Sequence, residues 1–97
     1  MIKSFRDIGT EDLFNRKASK AARKSCPMQV WRIAQRKLDQ LNAAVSLNSL
    51  RLPPGNGLEA LKTDRAGQSS IRINDQFRVC FVWTSEGPDQ VEVVDYY

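Results

Sequence analysis

The stretch SSIRINDQFRVCF, residues 69 to 81, allows one hairpin register and forbids its neighbour. A loop of only Asn74 and Asp75 would set Ile71 opposite Arg78 and Arg72 opposite Phe77, mixing charge with core on both faces. A loop over residues 74 to 76 instead pairs Ile73 with Phe77, Ile71 with Val79 and Ser69 with Phe81 on one face. Side chains alternate along a strand, so that face is uniformly buriable, as a half-covered sheet requires. The other face then holds Arg72 against Arg78 and Ser70 against Cys80. Like charges directly opposed on a sheet are destabilising, by about 0.2–1 kcal/mol. Something has to offset them: a nearby acid such as Glu92 or Asp95, or an anion docked over the uncovered face, which arginine's planar fork suits.

A sheet with one apolar face needs a cover, and upstream the hydrophobic period is helical. Residues 2 to 5 read as a short first strand. Thr10 reads as an N-cap, with Glu11 and Asp12 at the positive end of a helix that buries Leu13 and Phe14. Pro27 suits the first position of a second helix, whose apolar residues Val30, Ile33, Ala34, Leu38, Leu41 and Val45 recur at helical spacing. LPPGNG, residues 52 to 57, is a connector in which prolines favour an extended path and glycines permit tight bends. Beyond it the period changes to two. Residues 69 to 73, 77 to 83 and 90 to 96 read as strands, the last two separated by a loop around residues 85 to 89. The expectation is an α+β fold: a short N-terminal strand, two helices, then an antiparallel meander forming one sheet with helices on one face.

A chain of 97 residues fits one domain. Its 41% hydrophobic and 27% charged residues exclude a disordered or fibrous class. No apolar run approaches the roughly 18 residues of a membrane span, and the opening MIKSFRDIGTEDLF lacks the apolar core of a signal peptide. The expectation is a soluble cytoplasmic protein with no membrane partner. Cys26 and Cys80 match no metal or redox spacing and read as reduced structural thiols. The net charge is +4, and Arg16, Lys17, Lys20, Arg23 and Lys24 form a run without an acid. Such a run is either a solvated face or the footprint of a polyanion, whose attraction weakens with salt.

The absence of any histidine removes the Ser-His-Asp triad, the Cys-His pair and nearly all zinc sites. Neither a P-loop nor a GxGxxG motif occurs. What remains is a set of cations, carboxylates and phenols compatible with RNA cleavage by the RNA's own 2′-hydroxyl. That reaction needs a proton acceptor, a cation for the phosphorane charge and an acid for the leaving 5′-oxygen. Lys62, Arg65, Arg72 and Arg78 can supply charge. Asp95 can accept or orient a proton, and Tyr96 and Tyr97 can donate one or stack on a base. Each has a plainer reading: Lys62 as a loop lysine, Asp95 as an arginine's partner, the tyrosines as a hydrophobic cap.

LPPGNGLEALKTDRAGQSSIRINDQFRVCFVW followed by VEVVDYY resembles the killer-protein, or HigB-like, branch of the RelE/ParE toxin superfamily. The likeness takes in the start MIKSF, the helical part more loosely and residues 50 to 97 closely; NGLEAL, DRAGQ, SIRINDQFRVCF and VDY are its specific motifs. It implies a single RelE-like domain over residues 1 to 97 with a basic concave surface, cutting messenger RNA in the ribosomal A site without a cofactor or metal. It also implies a helix-turn-helix, HigA-like antitoxin, and operator DNA reached only through that antitoxin. By position, Lys62, Arg78, Asp95 and Tyr96 match the family's catalytic residues. Arg16, Lys17, Lys20, Arg23, Lys24, Arg65 and Arg72 are the expected RNA contacts. Similar toxins commonly continue Asp-Tyr-His, whereas Tyr97 stands in the histidine's place here. A phenol cannot share a proton at neutral pH as an imidazole can. Alternatives are a non-catalytic binder, either a ParE-like gyrase poison or an inactive module that sequesters an antitoxin, and a basic RNA-binding domain without toxicity. If Tyr97 takes the proton-donor position, Tyr97→His raises the rate of RNA cleavage and Tyr97→Phe lowers it. Equal rates for all three proteins would remove Tyr97 from proton transfer.

Overall fold

A computed structural model of the chain describes residues 1 to 96. Among them, three helices precede a four-stranded antiparallel sheet in which spatial order follows chain order. The helices are α1 (Ile8–Phe14), α2 (Lys20–Ser25) and α3 (Trp31–Ala43). The strands are β1 (Glu59–Ala60), β2 (Ser69–Arg72), β3 (Phe77–Thr84) and β4 (Gly87–Asp95). The β2–β3 register is the one the alternation requires: Ser69 opposite Phe81, Ile71 opposite Val79, Arg72 opposite Arg78. Ile73 N–H closes the hairpin by donating to the Phe77 carbonyl at 2.9 Å. Its apolar face, with Val91 and Val93 of β4, joins Leu13, Ala22, Val30, Ala34, Leu38 and Leu41 in one core cluster. No described helix is long and apolar enough to cross a membrane.

The helical half departs from expectation in three places. There are three helices where two were read, because the basic run breaks off as α2 under its own cap, Ser19, whose hydroxyl accepts from the Ala22 amide. Pro27 heads a 3-10 turn, Met28–Val30, and α3 begins only at Trp31. Because α3 ends at Ala43, Val45 lies beyond it and is 91% exposed. Finally, the cap of α1 is Asp7, whose carboxylate accepts from the Thr10 amide at 2.7 Å; Thr10 itself sits inside the helix, fully buried. Aspartate at that position satisfies one of the amides a helix start leaves unpaired.

The sheet departs too. Residues 2 to 5 do not form a strand; they run beside β4 and make one isolated parallel bridge, Phe5 with Val91. Lys3 N–H donates to the Pro88 carbonyl at 2.7 Å, but Pro88 has no amide hydrogen to return. Further along, Gln90 adopts φ 52°, a one-residue bulge that shifts the register between Cys80 and Val82, and its N–H turns to the Ser4 hydroxyl. A bulge and a proline so close together leave no room for a regular ladder. β4 also starts earlier than read, at Gly87, so Thr84 and Gly87 close a tight turn where a five-residue loop was expected. β1 was not read at all: two residues paired with Ser70 and Ser69, extended by a Leu61 N–H to Gln68 carbonyl bond of 2.9 Å.

The N-terminal segment and α1 together close the outer edge of β4. Val91 N–H donates to the Ser4 carbonyl at 3.0 Å, and Val93 N–H to the Thr10 hydroxyl at 3.0 Å. An exposed edge would otherwise be a template for pairing with another chain. Thr10→Val keeps the side chain's volume but strands the buried Val93 amide, and is expected to cost about 1–3 kcal/mol in denaturant unfolding. Thr10→Ser restores most of it. A valine variant as stable as the parent would show that this bond contributes nothing.

Candidate functional site

On the sheet face turned away from the helices, the alternation of β2 and β3 presents Ser70, Arg72, Arg78 and Cys80, and β4 adds Glu92 and Val94. Arg78 is the best-held of these. Its Nε donates to the Ser70 hydroxyl at 2.7 Å and lies 3.8 Å from the Glu59 carboxylate, and its Nη2 donates to the Gly57 carbonyl. Tyr96 lies over the guanidinium, 5.6 Å from its carbon to the ring centroid, and the phenol donates to Glu59 Oε1 at 3.3 Å. Only 13% of the Arg78 side chain is exposed. A charge so covered needs partners, and here it has a carboxylate, a carbonyl, a hydroxyl and an aromatic face.

The connector supplies the Gly57 carbonyl and is itself anchored on α3. Asn56 is fully buried; its amide donates to the Leu50 carbonyl at 3.1 Å and its oxygen accepts from Lys37 Nζ at 2.6 Å. Gly57 has φ 52°, a left-handed conformation, and an added Cβ would lie 3.7 Å from Arg78 Nη2. Burial, then the charges of Arg36 and Arg72, pull the Lys37 ammonium below the usual lysine range. A chain of contacts therefore runs from α3 through Lys37, Asn56 and Gly57 to Arg78.

Tyr96 also borders a hollow of about 260 Å³ that it lines with Leu61, Lys62, Thr63, Asp64 and Arg65. The β1–β2 hairpin carries Lys62 and Arg65 there through the 3-10 turn Thr63–Arg65. Lys62 is exposed. Arg65 donates to Glu92 Oε1 at 2.8 Å and to Gln68 at 3.1 Å; the bond to Glu92 pushes its guanidinium further above its ordinary pKa. Cys26 and Cys80 are free and buried, and burial raises both thiols, that of Cys26 to about 11, which leaves them poorly nucleophilic.

Four of the expected residues thus meet on one face: Lys62, Arg65, Arg78 and Tyr96. Arg72 shares that face, and it is offset by Asp75 in the loop, not by Glu92 or Asp95. Asp95 lies elsewhere. It stands opposite Phe77 in β4, accepts from Gln76 Nε2 at 3.0 Å and lines a hollow on the helical side with Asp7, Gly9, Lys24 and Val93. The basic run belongs to the helical half: Arg16 is paired with Asp39 of α3 at 2.6 Å, and Lys17, Lys20, Arg23 and Lys24 are exposed on and before α2. Tyr97 lies outside the described residues. Glu59 is the residue that the sequence reading missed. It sits inside NGLEAL three positions before Lys62, but only the unforeseen β1 pairing brings it to Arg78 and Tyr96.

A family model described as the RelE-like toxin of the type II toxin-antitoxin system HigB matches residues 3–97. The chain belongs to this HigB-like toxin family. It is 42% identical over 57 residues to a protein of Vibrio cholerae named Toxin HigB-1, covering 59% of this chain and 60% of that one. An uncharacterized protein of Haemophilus influenzae is 38% identical over 55 residues, 57% of this chain and 54% of its own length. The matched stretch spans under two thirds of either relative. In this chain, Arg78 depends on the connector that holds the Gly57 carbonyl. Asn56→Ala removes the buried link between that connector and Lys37, and is expected to cost about 1–3 kcal/mol. Hydrogen exchange at Arg78 Nε should quicken in the same variant, as read by nuclear magnetic resonance; unchanged exchange would detach Asn56 from the site.

Proposed function

We propose that this chain is the toxin of a type II toxin-antitoxin pair and acts as a ribosome-dependent messenger-RNA endonuclease. The observation that carries the reading is a hollow lined by Lys62, Arg65 and Tyr96, with Arg78 set under the Tyr96 ring. A phosphodiester seated there has a fixed guanidinium for the charge that develops on its oxygens. The 2′-hydroxyl of the preceding ribose attacks phosphorus, the bond to the 5′-oxygen breaks, and the products are a 2′,3′-cyclic phosphate and a 5′-hydroxyl. Lys62 neutralises charge at the rim, and Tyr96 offers a ring on which a base can stack. Arg65 and Arg72, partly neutralised by Glu92 and Asp75, are contacts for neighbouring phosphates. The exposed lysines and arginine of α2 form a separate basic strip, suited to ribosomal RNA rather than to the scissile link. The proposed partners are a ribosome carrying message and a helix-turn-helix antitoxin of HigA type that covers the toxin and reaches operator DNA in its stead.

Ribosomes programmed with a message and given the purified protein should yield new RNA 5′ ends at A-site codons, read by primer extension. Lys62→Ala and Arg78→Ala should each lower the yield by about 100-fold or more, with melting curves confirming that the fold survives. Intact message with blocked DNA supercoiling would replace the nuclease reading by that of a gyrase poison. Antitoxin binding with neither activity would make the chain a sequestering module.

A further inference from the structure

A second hollow, of about 390 Å³, adjoins the one beside Tyr96: Arg6, Asp64, Arg65, Gln68 and Glu92 line it, and Asp64 and Arg65 are common to both. It lies over the open face of the sheet. Glu92 stands there opposite Cys80, and Arg6 comes across from the N-terminal segment, its N–H bonded to the Val91 carbonyl at 2.8 Å. The Glu92 carboxylate is central, with only 16% of the side chain exposed. Its Oε1 accepts from Arg65 Nη1 at 2.8 Å and lies 3.9 Å from Arg6 Nε. Oε2 accepts no hydrogen bond from the described residues. Gln68 accepts from Arg65 at 3.1 Å through its oxygen, and its amide N–H groups donate to none of them.

Two arginines set against two carboxylates leave this hollow nearly neutral. A phosphate gains little in it, whereas a neutral group with donors and acceptors along one edge is matched. Among the RNA bases, guanine alone sets two adjacent N–H donors, on N1 and N2, beside an acceptor, O6. A carboxylate takes that donor pair, and Gln68 Nε2 or Arg6 gives to O6. Adenine and cytosine put an acceptor ring nitrogen beside their amine, which a carboxylate repels, and uracil has one donor between two acceptors. Single-stranded RNA is read in this way, along the base edges that unstacking exposes.

Resting on the nuclease reading above, we propose that the hollow of Arg6, Gln68 and Glu92 is a base subsite that selects guanine next to the scissile link. Glu92 accepts from the base, and Arg6 and Gln68 donate to it. Arg65 holds the carboxylate and contacts the neighbouring phosphate.

On ribosomes programmed with messages that differ in one base at or beside the A-site codon, cutting should be about 10-fold or more faster where guanine fills one fixed position, and inosine, which lacks the N2 amine, should lose most of that advantage. Glu92→Gln should bring the guanine-to-adenine ratio close to one, and Arg6→Ala should lower it. A carboxylate that only braces Arg65 would slow every message equally; an unchanged ratio in both variants therefore overturns the proposal, as does a wild-type ratio near one at every position. Should Glu92→Gln not fold, the Arg6→Ala ratio decides. Guanosine monophosphate added to the protein alone should also shift the magnetic resonance signals of the Gln68 side-chain amide and the Glu92 amide, more than adenosine, cytidine or inosine monophosphate do. A protein that leaves every message intact overturns the nuclease reading, and these nucleotide shifts then decide the subsite: guanosine-selective shifts keep it, and their absence removes it.

Discussion

A guanidinium that is mostly covered, yet sits directly across from another guanidinium, sets the terms for the rest of the sheet. Arg78 and Arg72 face each other on β3 and β2 because the apolar residues on either side of them must all point to the other face. Shifting the register by one residue would relieve the repulsion and expose the core, and the core is worth far more. The repulsion is therefore met locally. Arg72 is turned to Asp75, and Arg78 is enclosed by Glu59, Ser70, Gly57 and Tyr96. A buried charge satisfied by such a varied set is rigid, and a rigid cation is what a developing phosphorane charge requires.

Holding Arg78 recruits elements that would otherwise look incidental. The short β1 strand exists to the extent that Glu59 and Ala60 find Ser70 and Ser69, and that pairing brings Glu59 to the arginine. The connector is pinned through the fully buried Asn56 to Lys37 on α3, so the helical layer has a mechanical link to the far face of the sheet. On the opposite edge, the N-terminal segment and α1 close β4 through Ser4 and Thr10, which frees the end of that strand to carry Tyr96 over Arg78. The Tyr96 amide is held by the Gln76 carbonyl at 2.7 Å, so the ring's position is set by the β2–β3 loop as well.

The positive charge of the chain is divided. One group lies on the sheet face, where most cations are engaged by acids: Arg65 by Glu92, Arg72 by Asp75, Arg78 by Glu59. Lys62 is exposed at the rim of its hollow. The other group lies on and before α2, with Arg16 tied to Asp39. Arginine pairs tuned by carboxylates give orientation, whereas a solvated lysine strip gives salt-sensitive attraction without orientation. The two groups are as separate in the chain, residues 16 to 24 against 62 to 78, as they are in the fold.

Much of the sheet was legible in the sequence because a period of two leaves little freedom: the hairpin loop over residues 74 to 76, its three core-face pairs and the Arg72–Arg78 opposition follow from alternation alone. Lys62, Arg65, Arg78 and Tyr96 were legible as chemistry through their residue types and motifs. The breakdown of the helical half was not, since caps at Asp7 and Ser19 and a short basic helix give no long period to read. Alternation with Val91 and Val93 already puts Asp95 on the core side of its strand. The position of Glu59 was not legible. Pairing of a two-residue strand with β2 set Glu59 beside Arg78, because cross-strand contacts depend on partners far away in the chain.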